Sequence, residues 1–147
     1  MRRILFVCLG NICRSPMAEY VMKHEVKKRK IDHLYEIASC ATSYCEQGGE
    51  VHGGTTSTLK KHGIECPPRR ARRIQKEDYG YYDVILAMDE SNLKDILTIV
   101  GDDVCHKVRM LLPHSVADPW FTGDFETTYN DIVDGINQLL EKEKHLW

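Results

Sequence analysis

The sequence predicts an α/β fold, a four-stranded parallel sheet with helices on both faces. Three observations carry that prediction. Strand-like and helix-like segments alternate along the chain, which favours a parallel sheet covered on both sides. The segments Ile4-Leu5-Phe6-Val7 and Val84-Ile85-Leu86-Ala87 are continuous apolar runs, the pattern of strands buried on both faces. The last long segment has a single apolar face at helical spacing, as a helix lying on such a sheet requires.

The elements follow in order. Ile4 to Val7 is the first strand. A short polar loop, Gly10 to Arg14, leads to a helix that Ser15 caps and Pro16 opens. In it Met17, Val21, Met22 and Val26 recur at helical spacing through Lys30. Tyr35 to Ser39 is a second strand. Thr56 to His62 is a short helix with Gly63 as its stop. Asp83 to Met88 carries the third strand. A helix then starts near Ser91 and runs through Leu93, Ile96, Leu97 and Val100 to Gly101. Val108 to Leu112 is the fourth strand. In the last helix Phe125, Tyr129, Ile132, Val133, Ile136 and Leu140 share one face, and Asp124 is its cap. Loops that follow parallel strands share the carboxyl edge of the sheet, where ligands bind. The segments after Val7 and after Leu112 can therefore meet.

The 147 residues suit one domain, 1–147, large enough to bury a core without staples. Hydrophobic residues at 42% and charged residues at 29% fit a folded soluble chain rather than a disordered one. Twenty basic against 22 acidic residues give a net charge of −2, which disfavours a nucleic-acid binder and a membrane-surface protein. The longest apolar run, Ile4 to Leu9, is too short to span a bilayer and lacks a cleavage site after it, so a cytoplasmic protein is expected. Cysteines stand at 8, 13, 40, 45, 66 and 105, with no C-x-x-C pair. Free thiols and no metal site are expected.

The informative stretch is Cys8-Leu9-Gly10-Asn11-Ile12-Cys13-Arg14-Ser15. A cysteine closes a buried strand, and an arginine follows at the mouth of a helix. Successive backbone N–H groups in a tight loop converge on an oxyanion, and the helix N-terminus adds partial positive charge. Gly10 admits unusual backbone angles, and Asn11 suits a strained position. Arg14 binds two oxygens with its planar fork. The same surroundings favour the ionised, nucleophilic form of Cys8, to which Ser15 can donate a hydrogen bond. A phosphate-binding loop after the first strand is the reading; a nucleotide is not implied, because the Walker pattern is missing. Asp118-Pro119-Trp120, after the fourth strand, supplies a general acid, with Trp120 and Phe121 as walls for an aromatic ring.

Together these residues resemble the low-molecular-weight protein tyrosine phosphatases. The likeness extends through Ser39-Cys40-Ala41-Thr42, Arg70-Ala71-Arg72, Ile85 to Leu93 and Asp118-Pro119-Trp120, covering nearly the whole chain. It implies a phosphotyrosine-protein phosphatase acting without cofactor or metal. Cys8 would form a cysteinyl-phosphate, Arg14 and the loop amides of Leu9, Gly10, Asn11, Ile12, Cys13 and Ser15 would hold the phosphate, and Asp118 would be general acid and then base. It also implies that Cys13 can form a reversible disulfide with Cys8, and that Tyr44 lines the substrate pocket with Trp120 and Phe121. Three positions depart from the family pattern. Trp120 and Phe121 replace a frequent tyrosine pair, and Arg69 stands where many members have a histidine.

The expected partners are a tyrosine-phosphorylated protein or peptide and, in the site, phosphate or another tetrahedral oxyanion. No nucleic acid or membrane is expected, and a monomer is. Three alternatives stand beside this reading. A protein arginine phosphatase of the same fold usually carries threonine where Ile12 stands. An arsenate reductase of this fold would use cysteines near the third strand, and Val84 to Asp89 contains none. A non-catalytic phosphate-binding module would not need Cys8. Of the remaining features, the basic stretch Pro67 to Arg73 reads as solvated surface, Cys105-His106 as an unpartnered pair and Asp89 as structural.

Overall fold

The strands are β1 (Arg2–Cys8), β2 (Tyr35–Ala41), β3 (Val84–Ala87) and β4 (Val108–Met110). The computed structural model describes residues 1–147, and all its strand pairs are parallel, in the order β2-β1-β3-β4. Ile4 pairs with Ile37 on one side and with Val84 on the other. Because β1 is internal, Ile4, Leu5, Phe6 and Val7 are all fully buried. That explains the unbroken apolar run. Alternate residues serve opposite faces: Ile4 and Phe6 join one core, Leu5 and Val7 the other.

Helices α1 (Arg14–Lys28), α2 (Gly53–Lys61) and α6 (Phe125–Glu143) pack together on the first face. Met17, Val21, Met22, Leu59, Ile132, Ile136 and Leu140 fill that core. Helices α3 (Lys76–Tyr81) and α4 (Glu90–Val100) cover the second face over Ile74, Tyr82 and Ile96. A single turn, α5 (Pro119–Thr122), precedes α6. No helix is long and apolar enough to cross a membrane.

Several boundaries differ from expectation for identifiable reasons. Helix α1 begins at Arg14, and Ser15 is inside it rather than at its cap; the Ser15 hydroxyl is engaged with Cys8 instead. Helix α2 begins earlier than Thr56, because His52 Nδ1 accepts the Gly54 N–H at 3.0 Å and caps it. Helix α4 begins at Glu90, close to the expected start at Ser91, because Asp89 Oδ1 accepts the Asn92 N–H at 2.7 Å and caps it. Strand β4 stops at Met110. The short helices α3 and α5 have too few turns to show a helical period.

The connections run from β1 out to β2, then back across β1 to β3 and β4. The winding thus reverses beside β1, and a crevice opens beyond its carboxyl end. The loops after β2 and β4 approach that crevice from opposite sides.

Close packing of α6 on this edge rests on Gly135. A Cβ there would lie 2.6 Å from Leu111 Cγ. Gly135→Ala is expected to destabilise the protein by about 1–3 kcal/mol in urea denaturation. Combined with Leu111→Ala, the loss should be smaller than the sum of the two single losses, because the second change makes room for the first.

Candidate active site

The loop between β1 and α1 is tied down through its carbonyls. Thr42 N–H donates to Cys8 O at 2.9 Å, Ser43 N–H to Leu9 O at 3.1 Å and His52 N–H to Ile12 O at 2.9 Å. Thr55 Oγ1 donates to Cys13 O at 3.1 Å. In contrast, the N–H groups of Leu9, Gly10, Ile12, Cys13, Arg14 and Ser15 have no partner in the protein. Carbonyls engaged and amides free is the arrangement an anion cradle needs, and it stands at the N-terminus of a 15-residue helix.

Cys8 is buried at the end of β1. Its Sγ lies 3.3 Å from the donating Asn11 N–H and 3.0 Å from Ser15 Oγ. The direction of the second bond follows from counting protons. Asn11 Oδ1 accepts from Arg69 Nη2 at 2.8 Å and from the Arg72 N–H at 3.3 Å. The amide is thereby oriented, and its Nδ2 donates to Ser15 Oγ at 2.8 Å and to Ser39 Oγ at 3.0 Å. Ser39 spends its proton on Glu19 Oε1 at 2.6 Å. Ser15 keeps one proton, and of its two acceptors Cys8 Sγ at 3.0 Å is nearer than the Cys40 carbonyl at 3.4 Å. Asn11 holds φ at 58°, a region asparagine tolerates better than other side-chain-bearing residues. Arg69 also donates to Ser39 O at 3.3 Å.

Arg14 is buried and bracketed by two aspartates. Its Nη1 donates to Asp89 Oδ2 at 2.8 Å and to Val116 O at 3.3 Å, and its Nη2 is 3.3 Å from Asp118 Oδ2. Nε and one Nη2 proton have no protein partner. Both aspartates are also helix caps: Asp89 Oδ1 caps α4, and Asp118 Oδ1 accepts the Trp120 N–H at 3.1 Å to start α5. Asp89 therefore combines its expected structural role with a direct bond to Arg14.

These groups line a cleft of about 240 Å³. Its floor is Cys8, Leu9, Gly10, Ile12, Cys13 and Arg14. Asp118, Trp120 and Phe121 come from the β4 side, and Cys45 and Glu46 from the β2 side. Trp120 meets the His52 ring edge-on at 6.1 Å, and His52 stacks on Phe125 at 5.2 Å. Tyr44, expected as a pocket wall, is not one. Its ring carries the Arg73 guanidinium at 4.5 Å, and its hydroxyl accepts from Arg73 Nη1. Its neighbour Cys45 takes the wall position. Sequence reasoning also missed Glu46 and His52, which no motif singles out. Burial pushes the Cys13 thiol up to about 12, with Cys8, Asp118 and Glu46 adding to the effect and Arg14 opposing it. All six cysteines are free thiols.

Known proteins resemble this chain along nearly its whole length. Residues 3–145 match the family described as low molecular weight phosphotyrosine protein phosphatase. The chain is 34% identical to the low molecular weight protein-tyrosine-phosphatase YfkJ of Bacillus subtilis, over 99% of this chain and 100% of that one. It is 38% identical to the low molecular weight phosphotyrosine protein phosphatase of Homo sapiens, over 96% of this chain and 95% of the other. The crystal structure of YfkJ superposes with a TM-score of 0.94 at 32% identity, covering 99% of this chain and 96% of that one.

Two outcomes follow from the network. Arg69→Ala removes a charged donor from Asn11, and alkylation of Cys8 by iodoacetate is expected to slow about tenfold, the equivalent of ~1.4 kcal/mol. Arg69→His should recover part of the rate, since an imidazole N–H can still donate. In Cys8→Ser, iodoacetamide at pH 7.5 should label the exposed Cys45 and Cys105 and leave Cys13 unmodified, because a raised thiol stays protonated there. Peptide mass mapping reads this result.

Proposed function

The chain belongs to the low molecular weight phosphotyrosine protein phosphatases, and from that premise we propose how its residues carry the reaction. As a protein-tyrosine-phosphatase it hydrolyses a phosphoric monoester in two steps. In the first, Cys8 Sγ bonds to phosphorus as the bond to the tyrosyl oxygen breaks. Asp118 gives its proton to that oxygen, because a phenolate leaves poorly without one. Arg14 and the free amides of residues 9, 10 and 12–15 hold the non-bridging oxygens, where charge is spread in the transition state. In the second step the Asp118 carboxylate takes a proton from water, the water oxygen bonds to phosphorus, and the S–P bond breaks. Inorganic phosphate leaves and Cys8 is restored, with the Ser15 hydroxyl and the Asn11 N–H steadying the sulfur.

One observation supports this most directly. A single cleft gathers a thiol at position 8, a guanidinium at 14 and a carboxylate at 118, the last two 3.3 Å apart. The Asp118–Arg14 contact is displaced when phosphate takes the arginine, which leaves the carboxyl beside the leaving oxygen. Ile12, Trp120 and Phe121 present apolar surface to a phenyl ring. The substrate in this reading is a tyrosine-phosphorylated protein or peptide. Six free cysteines fit a reducing compartment, and we place the protein in the cytoplasm as a monomer.

Turnover of p-nitrophenyl phosphate without added metal tests the reading. Cys8→Ser should abolish it. Asp118→Ala should lower kcat by about 10²–10⁴-fold, the range of a lost general acid, with a larger loss on phosphotyrosine, whose leaving group is more basic. Undiminished turnover by Cys8→Ser would remove the nucleophile assignment, and faster hydrolysis of phosphoarginine than of phosphotyrosine would remove the substrate assignment.

A further inference from the structure

Among the charged side chains of the cleft, Glu46 has no task in the reaction described above. It is half-buried, it lines the cleft beside Cys45, and its carboxylate has neither a hydrogen bond nor an ion pair. The nearby arginines are engaged elsewhere. Arg70 lies 3.6 Å from Glu50 and donates to Gly48 O, while Arg73 stacks on Tyr44 and donates to Thr42 O at 3.0 Å.

The chain holds Glu46 in this place by backbone means. Gly49 N–H donates to Glu46 O at 2.7 Å, and a Cβ at Gly49 would lie 2.8 Å from that oxygen. A Cβ at Gly10 would lie 3.2 Å from Glu46 Cγ. Gly10 therefore lets the stem of Glu46 lie down on the phosphate-binding loop, and Gly49 admits the tight turn that follows Glu46. Its charge is close enough to contribute to the raised Cys13 thiol.

An unpaired carboxylate is out of place beside a site built for a dianion. Arg14 already faces Asp89 and Asp118, so a phosphate ester enters against net negative charge. The repulsion is relieved when the substrate itself brings a cation. Glu46 stands on the wall opposite Trp120 and Phe121, so a phosphotyrosine ring in the cleft has it at one side. The Cα of the next residue along a peptide lies about 3.8 Å from that of the phosphotyrosine, and a lysine or arginine there has a side chain long enough to turn back towards the cleft wall.

We propose that Glu46 is a specificity-determining residue that selects phosphotyrosine segments carrying a lysine or arginine next to the phosphotyrosine. The proposal rests on the phosphatase reading and assigns the class of segment that the cleft prefers.

The test uses phosphotyrosine peptides identical except for lysine or glutamate immediately before or after the phosphotyrosine. At low ionic strength the wild-type protein should show a kcat/KM ratio, lysine peptide over glutamate peptide, of about fivefold or more at one of the two positions. The ratio should shrink as salt is added, since the carboxylate is partly exposed. It should fall towards one in Glu46→Gln and reverse in Glu46→Arg, with p-nitrophenyl phosphate turnover reporting that each variant is folded. The salt series on the wild type alone keeps the test decisive if a variant does not fold. Equal kcat/KM for the peptides, or a ratio unchanged by Glu46→Gln, overturns this proposal and leaves the phosphatase reading intact. Failure of the wild type to hydrolyse any of the peptides overturns both.

Discussion

The side-chain amide of Asn11 is held in one orientation by two N–H donors, and the chemistry of the cleft depends on it. With Oδ1 committed to Arg69 and Arg72, Nδ2 must face the two serine hydroxyls. That leaves the Ser15 proton for Cys8. The cluster is buried, so an unsatisfied member would be costly, and a satisfied one keeps the loop in a single conformation. The positive φ of Asn11 is sustained by the same bonds. Arg69 anchors the amide from outside the loop, and the buried Glu19, its guanidinium 3.9 Å away, balances its charge.

A second constraint joins charge placement to helix placement. A carboxylate has two oxygens, and Asp89 and Asp118 each use one to cap a helix and the other to meet Arg14. The arginine is thus positioned by the start of α4 and the start of α5. The two sides differ in how firmly they are held. Asp89, half-buried like Asp118, follows closely on the buried strand β3, while Asp118 starts a single turn whose Trp120 and Phe121 are exposed. The segment before that turn is tied by Thr128 Oγ1 to Ala117 O at 2.8 Å and by the Ala117 N–H to Asp131 at 3.1 Å. A rigid floor with a more lightly anchored wall suits the proposed reaction, in which the site admits a bulky ester and Asp118 then gives it a proton.

Much of the fold was legible in the chain. Strands β1 and β3 showed as apolar runs because an internal parallel strand is covered on both faces, the edge strands β2 and β4 showed more weakly, and α6 showed its stripe because one face is buried. The loop from Cys8 to Ser15 was legible because its members act through their own backbone and nearest neighbours. Elsewhere local reasoning misled. Ser15 has the chemistry of a helix cap, yet its hydroxyl faces Cys8, since the free amides at that helix start are turned to the cleft. Tyr44 has the chemistry of a pocket wall, yet Arg73 holds its ring away from the cleft, a cation–π contact across 29 positions that no periodicity encodes.

The sequence by itself determined the four strands and the longer helices, and which loop has the makings of an oxyanion cradle, because periodic burial and short-range hydrogen bonds are written in neighbouring residues. Tertiary structure alone decided that Asp118 and Asp89 bracket Arg14, that Arg69 orients Asn11 and that Glu46 rests on Gly10. Those meetings follow from strand order and from the packing of two helical layers. The core as a whole settles both, and no stretch of chain carries that information locally.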